Sequence, residues 1–447
     1  MRYVRIILLA LSLVSCRKLL TVSTPDSEQS SDDVFSEDAS ADAAVADIYY
    51  TMGMYYNGNL LSVINGMTGD EGGTLNAYYQ RYVNNSIPSD DAQINLIWKA
   101  YYKAIYRCNS VMEGLSQSTK LSPERVQQWT GEAKFMRALC YYYLVNCWGD
   151  VPYITTTDVD QTALAYRMRT DSIYAWMQQD LLSAINLLSE KYPGAEHVRA
   201  NKWAAMALLA RVALQGGDAG KAEYYASQVI DAGMYRLCIP DSAFLYNSPQ
   251  AILQIWTSEG YTLPGQMFIP LDDDASYYPL SADMVAAFEN GDQRRASWTR
   301  SFVYGGGTYY YPYKYKKRGA TTGEDKEYLM VLRFAEQYLI RAEARAQQDN
   351  YTGAIADLDV IRAGAGLTAL DIVNDRAHCM AALAQERRAE LFCEWGDRWF
   401  TLQRMGTMSQ VLGALKPGFW KDWAAYYPIP QQERDKDPNL TQNPGYQ

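Results

Sequence analysis

The chain has 447 residues, of which 48% are hydrophobic and 21% are charged, and its formal net charge is -10 at pH 7. This length and apolar content are sufficient for a large folded core, as in a secreted globular protein. The acidic balance argues against nucleic-acid binding, because an acidic surface repels phosphate groups.

Residues 1–15 are typical of a bacterial lipoprotein signal peptide. Arg2 and Arg5 precede an apolar run that is too short to span a bilayer, and this run leads into the sequence LVSC, which ends at Cys16. We therefore predict that Cys16 becomes the acylated first residue and that its acyl chains hold the protein on a membrane. An ordinary secretory signal cleaved elsewhere is the alternative. Residues 16–40 are then the lipidated cysteine and a polar tether.

Helix-forming segments occupy most of the rest of the chain. Residues 203–230 align without gaps onto residues 335–362, with small side chains at matching positions. This spacing is typical of tetratricopeptide repeats, in which small residues let two antiparallel helices approach closely. Apolar periodicity predicts two further helix pairs: residues 41–56 with 92–115, and residues 129–148 with 172–189. The sequence therefore predicts an all-α, tetratricopeptide-like scaffold of four helix pairs, and Trp98 is assigned to that scaffold.

Two irregular segments, residues 65–91 and 251–326, carry the candidate ligand-binding residues. Alternating polar and aromatic residues at 251–256 and 309–315 predict short strands in the second segment. Aromatic faces stack on sugar rings or grip peptides, and Asp, Asn and Arg form directed hydrogen bonds with hydroxyl groups. The alternative for any one tyrosine is a packing role. The candidates are Asp70, Glu71, Tyr78, Tyr79, Arg81, Tyr82, Trp256, Tyr261, Tyr277, Tyr278, Trp298, Tyr309 and Tyr310.

Motifs for catalysis or metal binding are missing from the sequence. It contains neither GxSxG nor HExxH, and His197 and His378 are its only histidines. Asp272–Asp274 lack EF-hand spacing, which favours a solvated acidic loop over a calcium site. We predict no enzyme activity, cofactor or metal. The rival interpretation is a glycoside hydrolase that uses Asp70 with Glu71 or with one of Asp272–Asp274.

The six cysteines after Cys16 also fit no zinc-binding pattern. Small buried thiols are common in apolar cores, so free thiols are favoured over disulfides. These residues are Cys108, Cys140, Cys147, Cys238, Cys379 and Cys393.

The C-terminal part carries three informative blocks. Residues 386–406, ERRAELFCEWGDRWFTLQRMG, are predicted to form one amphipathic helix with Glu386, Glu390 and Glu394 on a shared face. The neighbouring arginines favour a buried, arginine-paired structural network over an acid–base site. YYPIP at residues 426–430 and NLTQNPGY at residues 439–446 follow.

These blocks together resemble the closing signature of the SusD/RagB-like outer-membrane lipoproteins. Residues 131–153 and 333–348 resemble internal motifs of the same family, whereas Trp395, Asp397 and Thr401 depart from its usual pattern. The resemblance implies a lipid-anchored protein at the outer-membrane cell surface. Such a protein binds an oligomeric nutrient, here most readily a glycan, and delivers it to a SusC-like TonB-dependent transporter. A peptide-binding member of the family is an alternative.

The resemblance also implies a division of the chain in which binding loops separate scaffold units. In this division three helix pairs precede an irregular, partly β, ligand-facing region, and the fourth pair is followed by the signature region. The predicted parts are residues 1–15, 16–40, 41–233, 234–332 and 333–447.

Overall fold

A computed structural model gives the fold of most of the chain. The described residues are 31–54, 57–271, 278–371 and 375–446. The signal peptide, Cys16, most of the tether, Asp272–Asp274 and Tyr277 lie outside the described residues, so the statements about them remain predictions.

Helices form most of the described structure. Many begin at an Asp or Asn whose side chain accepts backbone N–H groups of the first turn; Asp91, for example, accepts from Gln93 and Ile94 at 3.0 Å. The helices of eight or more residues are α1 (Asp38–Met54), α2 (Asn57–Thr68), α3 (Ala92–Gln117), α4 (Pro123–Trp148), α5 (Thr170–Leu187), α6 (Lys202–Gln215), α7 (Ala219–Asp231), α8 (Phe334–Gln347), α9 (Tyr351–Gly364), α10 (Arg376–Leu391), α11 (Asp397–Arg404) and α12 (Met408–Leu415). Shorter helical turns lie at Ser31–Val34, Ala77–Tyr79, Gln80–Val83, Val159–Thr162, Pro240–Ser242, Leu263–Phe268, Ala282–Ala286, Gln293–Trp298, Gly323–Asp325, Asp422–Ala425 and Gln431–Arg434.

The long helices pack in chain order. Helix α1 contacts α3, and from α3 to α10 each helix packs against the next, so the four predicted helix pairs are all present. Small side chains allow close approach where α6, α7 and α8 meet: Ala210, Ala213, Ala222, Ala226 and Ala344 are buried there. The all-α class is confirmed, whereas the tetratricopeptide likeness of the pairs stays a prediction.

Three small antiparallel sheets lie between the helices. Strand β1 (Val151–Pro152) pairs with β2 (Arg167–Met168), β3 (Ala251–Ile255) with β6 (Leu329–Arg333), and β4 (Thr299–Tyr304) with β5 (Gly307–Pro312). Strands β3 and β6 are buried throughout. Gly305 and Gly306, with φ of 55° and 80°, form the β4–β5 turn, as a tight hairpin requires. Strand β3 agrees with the strand predicted at residues 251–256, whereas β5 includes only residues 309–312 of the strand predicted at 309–315.

The prediction of one continuous helix over residues 386–406 is wrong. Helix α10 ends at Leu391, and α11 begins only at Asp397. In between, the Trp395 N–H donates to Ser62 Oγ at 2.8 Å and its indole N–H donates to the Met330 carbonyl at 2.6 Å. The bond to Ser62 takes the place of a helical backbone hydrogen bond, and the indole bond holds the Trp395 side chain against β6. Residues 65–68, assigned to a loop from sequence, instead complete α2.

The three glutamates of the signature belong to a buried, arginine-paired network, as predicted, but its cations come from distant segments and not from the neighbouring arginines. Arg294 contacts Glu386 and Glu390 at 2.6 and 2.9 Å, and Arg333 contacts Glu390 and Glu394. Burial opposes ionisation, but Arg333 and Arg294 outweigh it and lower the pKa of Glu390 to about 2. This cluster is a structural ion network joining α10 to the segments that precede β4 and α8.

The six cysteines within the described residues are free thiols, as predicted. Five of them are buried, and Cys238 is partly exposed. In the described part of the chain, no helix has both the length and the apolar character needed to cross a bilayer.

Candidate functional site

The two irregular segments meet on one side of the protein. The Gly73 N–H donates to the Pro279 carbonyl at 2.8 Å, and the Ser281 N–H and Oγ donate to the carbonyls of Glu71 and Asp70 at 2.8 and 2.6 Å. The next hydrogen bond runs from the Leu280 N–H to the Tyr310 carbonyl at 2.7 Å. Backbone pairing therefore connects the loop after α2 to strand β5 of the β4–β5 hairpin.

This junction carries a group of tyrosines, Tyr78, Tyr79 and Tyr278, which we call the tyrosine surface. The Tyr79 ring lies 5.1 Å from both the Tyr78 and the Tyr278 ring, edge to face in each case. Arg81 lies 4.1 Å above the Tyr78 ring. Tyr78 is 42% exposed, Tyr79 is half-buried and Tyr278 is buried. The three rings thus form a patch in which Tyr78 and Tyr79 are open to solvent and Tyr278 supports them from the interior.

The adjoining β4–β5 hairpin, which we call the aromatic hairpin, has a second set of rings. Phe302 stands opposite Tyr309 with ring centroids 5.6 Å apart, and Tyr311 lies 6.1 Å from Phe302. Arg300 lies 4.6 Å from the Tyr313 ring. Residues two apart on a strand share a face, which explains why these side chains form one row.

Tyr310 belongs to the other side of the hairpin, where it packs against the main core. The sequence-based choice of Tyr309 and Tyr310 therefore paired residues from opposite faces. The sequence-based candidates omitted Phe302, Tyr311 and Tyr313. The alternation of residues along the two strands nevertheless places these side chains on the same face as Tyr309.

Several other predicted site residues lie in the interior. Asp70 is buried and receives two hydrogen bonds from Arg398, at 2.8 and 2.7 Å. Tyr82 donates to Asp91 at 2.8 Å, and the Trp298 indole donates to the Pro240 carbonyl at 2.9 Å. These side chains support the fold around the site and do not present a face to a ligand in this conformation.

Glu71 is the most unusual ionisable group beneath the tyrosine surface. Burial, with a contribution from Asp70, raises its pKa to about 8, although the Cys393 N–H donates to its Oε2 at 3.1 Å. Its Oε1 has no hydrogen-bond partner among the described residues. The side chain is therefore mostly protonated near neutral pH. Asp70 and Glu71 are both buried, so this pair does not provide the open cleft with two carboxylates that a glycosidase needs.

Replacement of Glu71 with glutamine is expected to change how stability depends on pH. In the unfolded chain the pKa is near 4.5, so between pH 4.5 and 8 the folded protein holds more protons and stability falls as pH rises. Glu71→Gln should remove a slope of up to about 1.4 kcal/mol per pH unit. The measurement is the free energy of denaturant unfolding from pH 5 to 7.

Lys416 is the reason that the unfolding measurements end at pH 7. Burial lowers its pKa from 10.5 to about 7, so its contribution to stability rises with pH between these values and opposes that of Glu71. The exposed Glu124→Gln variant is the matched control and should keep the wild-type slope. A Glu71→Gln variant with the wild-type slope would contradict the prediction.

Trp256 and Tyr261 lie apart from the tyrosine surface. They line a cleft of about 200 Å³ together with residues of α1 and of the Leu263–Phe268 turn. A larger groove of about 520 Å³ runs along α3 and the chain near residue 436, and none of the predicted binding residues lines it. The structure thus divides the predicted site into two separate locations.

Two family models match the chain. Residues 23–214 match a SusD-like model described as starch-binding and associating with the outer membrane. Residues 281–446 match the SusD family model. Tyr78 and Tyr79 lie in the first match and the aromatic hairpin lies in the second, whereas Tyr278 falls between the two matched ranges.

Curated relatives match either part or most of the chain. A SusD-like protein of Formosa agariphila is 34% identical over 119 residues, which are 26% of this chain and 23% of that protein. A SusD-like protein of Bacteroides ovatus is 24% identical over 88% of this chain and 80% of its own length. The longer match indicates that the likeness extends over nearly the whole protein.

Solved structures share the fold. A SusD superfamily protein from Bacteroides vulgatus has a TM-score of 0.82 at 18% identity, covering 92% of this chain and 99% of its own. A laminarin-binding SusD-like protein has a TM-score of 0.75 at 24% identity, covering 91% and 99%. Surface glycan-binding protein A from Bacteroides fluxus has a TM-score of 0.76 at 20% identity, covering 92% and 100%.

Proposed function

The chain belongs to the SusD/RagB-like family, and from that premise we propose that it is a cell-surface lipoprotein that captures an oligosaccharide. The observation that carries the proposal is the pair of adjoining aromatic surfaces, the tyrosine surface and the aromatic hairpin. The family description as starch-binding and the glycan ligands named for two similar structures support the same ligand class.

The chemistry of these surfaces suits a sugar chain. The rings of Tyr78, Tyr79 and Tyr309 are exposed or half-buried, so they can offer apolar faces to the C–H face of a pyranose. A tyrosine that stacks in this way can keep its hydroxyl hydrated. The edge-to-face contacts of the rings and the cation over Tyr78 hold them in place before a ligand arrives, which lowers the entropic cost of binding. A row of rings on the aromatic hairpin extends the contact surface along an oligomer.

Delivery to a SusC-like TonB-dependent transporter completes the proposal. Acylation at Cys16 and the polar tether of residues 16–40 would keep the protein at the outer-membrane surface beside such a partner. Residues 234–332 would form much of the ligand-facing side. We propose that the protein covers the mouth of the transporter and that opening follows the ligand-loading cycle. The transporter is expected to co-purify from solubilised membranes, and recovery of this chain alone would contradict the partnership.

Alanine replacements on the two aromatic surfaces test the ligand class. We expect Tyr79→Ala and Tyr309→Ala each to weaken oligosaccharide binding by about 1–2 kcal/mol, or about 5- to 30-fold in Kd, because each removes a stacking face. Calorimetry would compare hexasaccharides of maltose, cellulose, laminarin and xylan type. Tyr224→Ala, which alters a tyrosine that is 58% exposed on α7, is the control and should bind normally.

The other candidate functions predict different results in the same assays. Cleavage products in the binding samples would support the glycoside hydrolase instead. Binding of a peptide panel with no glycan binding would assign the protein to the peptide-binding members of the family. Unchanged affinity in both tyrosine variants, with glycan bound, would remove these surfaces from the site.

A further inference from the structure

The cleft that contains Trp256 is a second location suited to a sugar. It lies between α1 and the turn that follows strand β3. Trp256 and Tyr50 are each 49% exposed at this cleft, and Tyr261 is half-buried. Large aromatic rings that remain half-exposed around a concavity are a feature of binding sites.

The cleft is distinct from the tyrosine surface. Leu263 and Gln266 of the Leu263–Phe268 turn line the cleft, whereas Phe268 at its end contacts the Tyr278 ring at 6.3 Å. One short helical turn therefore separates two aromatic sites. Tyr50, which sequence reasoning did not select, joins the cleft from α1.

The walls of the cleft are held by close backbone packing. A Cβ added to Gly53 would lie 2.8 Å from Ile255 Cγ2, so this glycine lets α1 approach the end of strand β3. Tyr50 lies one helical turn before Gly53 and thereby reaches the cleft of Trp256. Close contact between α1 and β3 explains why residues about 200 positions apart share one concavity.

The turn from Trp256 to Tyr261 is fixed in a similar way. Gly260 has a φ of +65°, and a Cβ there would lie 2.2 Å from the Thr321 carbonyl oxygen. The Thr321 N–H donates to the Glu259 carbonyl at 2.8 Å, and the Glu327 N–H donates to the Gly260 carbonyl at 3.0 Å. This part of the cleft is therefore formed before any ligand binds.

The polar groups of the cleft define the class of sugar. Glu259, Gln266, Thr257 and Ser258 supply hydrogen-bonding groups beside the rings. Among the described residues that line the cleft none is basic, and the carboxylate of Glu259 is exposed. Anionic sugars such as uronic acids are therefore disfavoured, because no cation pairs with them and the carboxylate repels them.

We propose that this cleft is a second carbohydrate site, which binds one or two neutral hexopyranose rings against Trp256 and Tyr50. The choice of a carbohydrate ligand rests on the proposed function, whereas the location and the preference for neutral rings rest on the cleft itself. The cleft and the tyrosine surface are separate sites, so a substitution in one of them should not change the affinity of the other for its ligand.

The test uses disaccharides, which are short enough to bind the cleft alone. Maltose, cellobiose, laminaribiose and lactose would be titrated into the purified protein by calorimetry and by ligand-observed NMR, with digalacturonic acid as the anionic probe. We expect at least one neutral disaccharide to bind, and Trp256→Ala and Tyr50→Ala each to raise its Kd at least about 10-fold. Trp256→Phe should retain part of the affinity, and digalacturonic acid should not bind.

Matched variants separate the cleft from other surfaces. Trp176→Ala alters a tryptophan that is 44% exposed on α5 outside the cleft, and it should bind the disaccharide normally. Failure of all four neutral disaccharides to bind at up to about 20 mM, or equal loss in Trp176→Ala and Trp256→Ala, would overturn the second site.

The results also distinguish this inference from the proposed function. Loss of hexasaccharide binding in Tyr79→Ala, together with no disaccharide binding, would overturn the cleft site and leave the tyrosine surface as the binding site. Disaccharide binding that depends on Trp256, together with normal hexasaccharide affinity in Tyr79→Ala and Tyr309→Ala, would support the cleft and reject the tyrosine surface.

Discussion

Replacement of Gly396 with alanine is expected to destabilise the protein by about 3 kcal/mol. Gly396 has a φ of +81°, and an added Cβ would lie 1.9 Å from Asn65 Nδ2 and 3.0 Å from Asn65 Cβ. Asn65 is fully buried and accepts a hydrogen bond from the Tyr427 hydroxyl, so it cannot move aside without losing that contact. The new methyl group therefore combines backbone strain with overpacking.

Gly406→Ala separates these two causes. Gly406 has a similar φ of +66°, but no atom lies within 4 Å of its added Cβ. The control should lose only about 1 kcal/mol, from backbone strain alone. The measurement for both variants is the free energy of unfolding in denaturant. Equal losses in the two variants would show that the contact with Asn65 has no energetic effect.

Replacement of Arg294 with methionine is expected to cost about 3–5 kcal/mol of stability. The Arg294 side chain is 2% exposed and contacts Asp292 at 2.9 Å, Glu386 at 2.6 Å and Glu390 at 2.9 Å. Methionine fills much of the same volume but leaves these buried carboxylates short of a cation. The expected loss of stability therefore comes mainly from the unpaired charges and less from a cavity.

Arg169→Met provides the matched control for the loss of charge. Arg169 pairs with Asp171 at 2.7 Å, but their side chains are 80% and 63% exposed, so solvent screens the pair. We expect the control to keep a free energy of unfolding close to that of the wild type. Denaturant unfolding, with far-UV circular dichroism to confirm that both variants fold, gives the comparison. A loss at Arg294 as small as at Arg169 would reject the assigned role of the network.

Glu386 and Glu390 illustrate what local patterns predict well. Their spacing of four residues places them on one helix face, and nearby arginines indicated a buried ion network, which the structure confirms. The two cations of Arg294 and Arg333 come from distant segments, which no local pattern in the sequence identified. The break after Leu391 was missed as well, because the Trp395 N–H donates to Ser62 of the distant helix α2, and no local pattern shows that contact.

The candidate site depends even more on contacts between distant segments, which local patterns do not show. The sequence supplied two aromatic segments and the alternation that makes strands β3 and β5. It did not distinguish Trp298, which is 2% exposed, from Trp256, which is 49% exposed. Both are tryptophans in the same irregular segment, and their exposure depends on which other parts of the chain pack over them.

Motif spacing and apolar periodicity are local properties of the chain, and they were sufficient to predict the family, the helical class and the short strands of this protein. They did not predict which rings face solvent or that the candidate rings lie at two separate locations. The physical reason is that burial and hydrogen bonding join remote segments, as where Ser281 donates to the Asp70 carbonyl across 211 residues. Such contacts place Tyr79 beside Tyr278 and Tyr50 beside the Trp256 cleft.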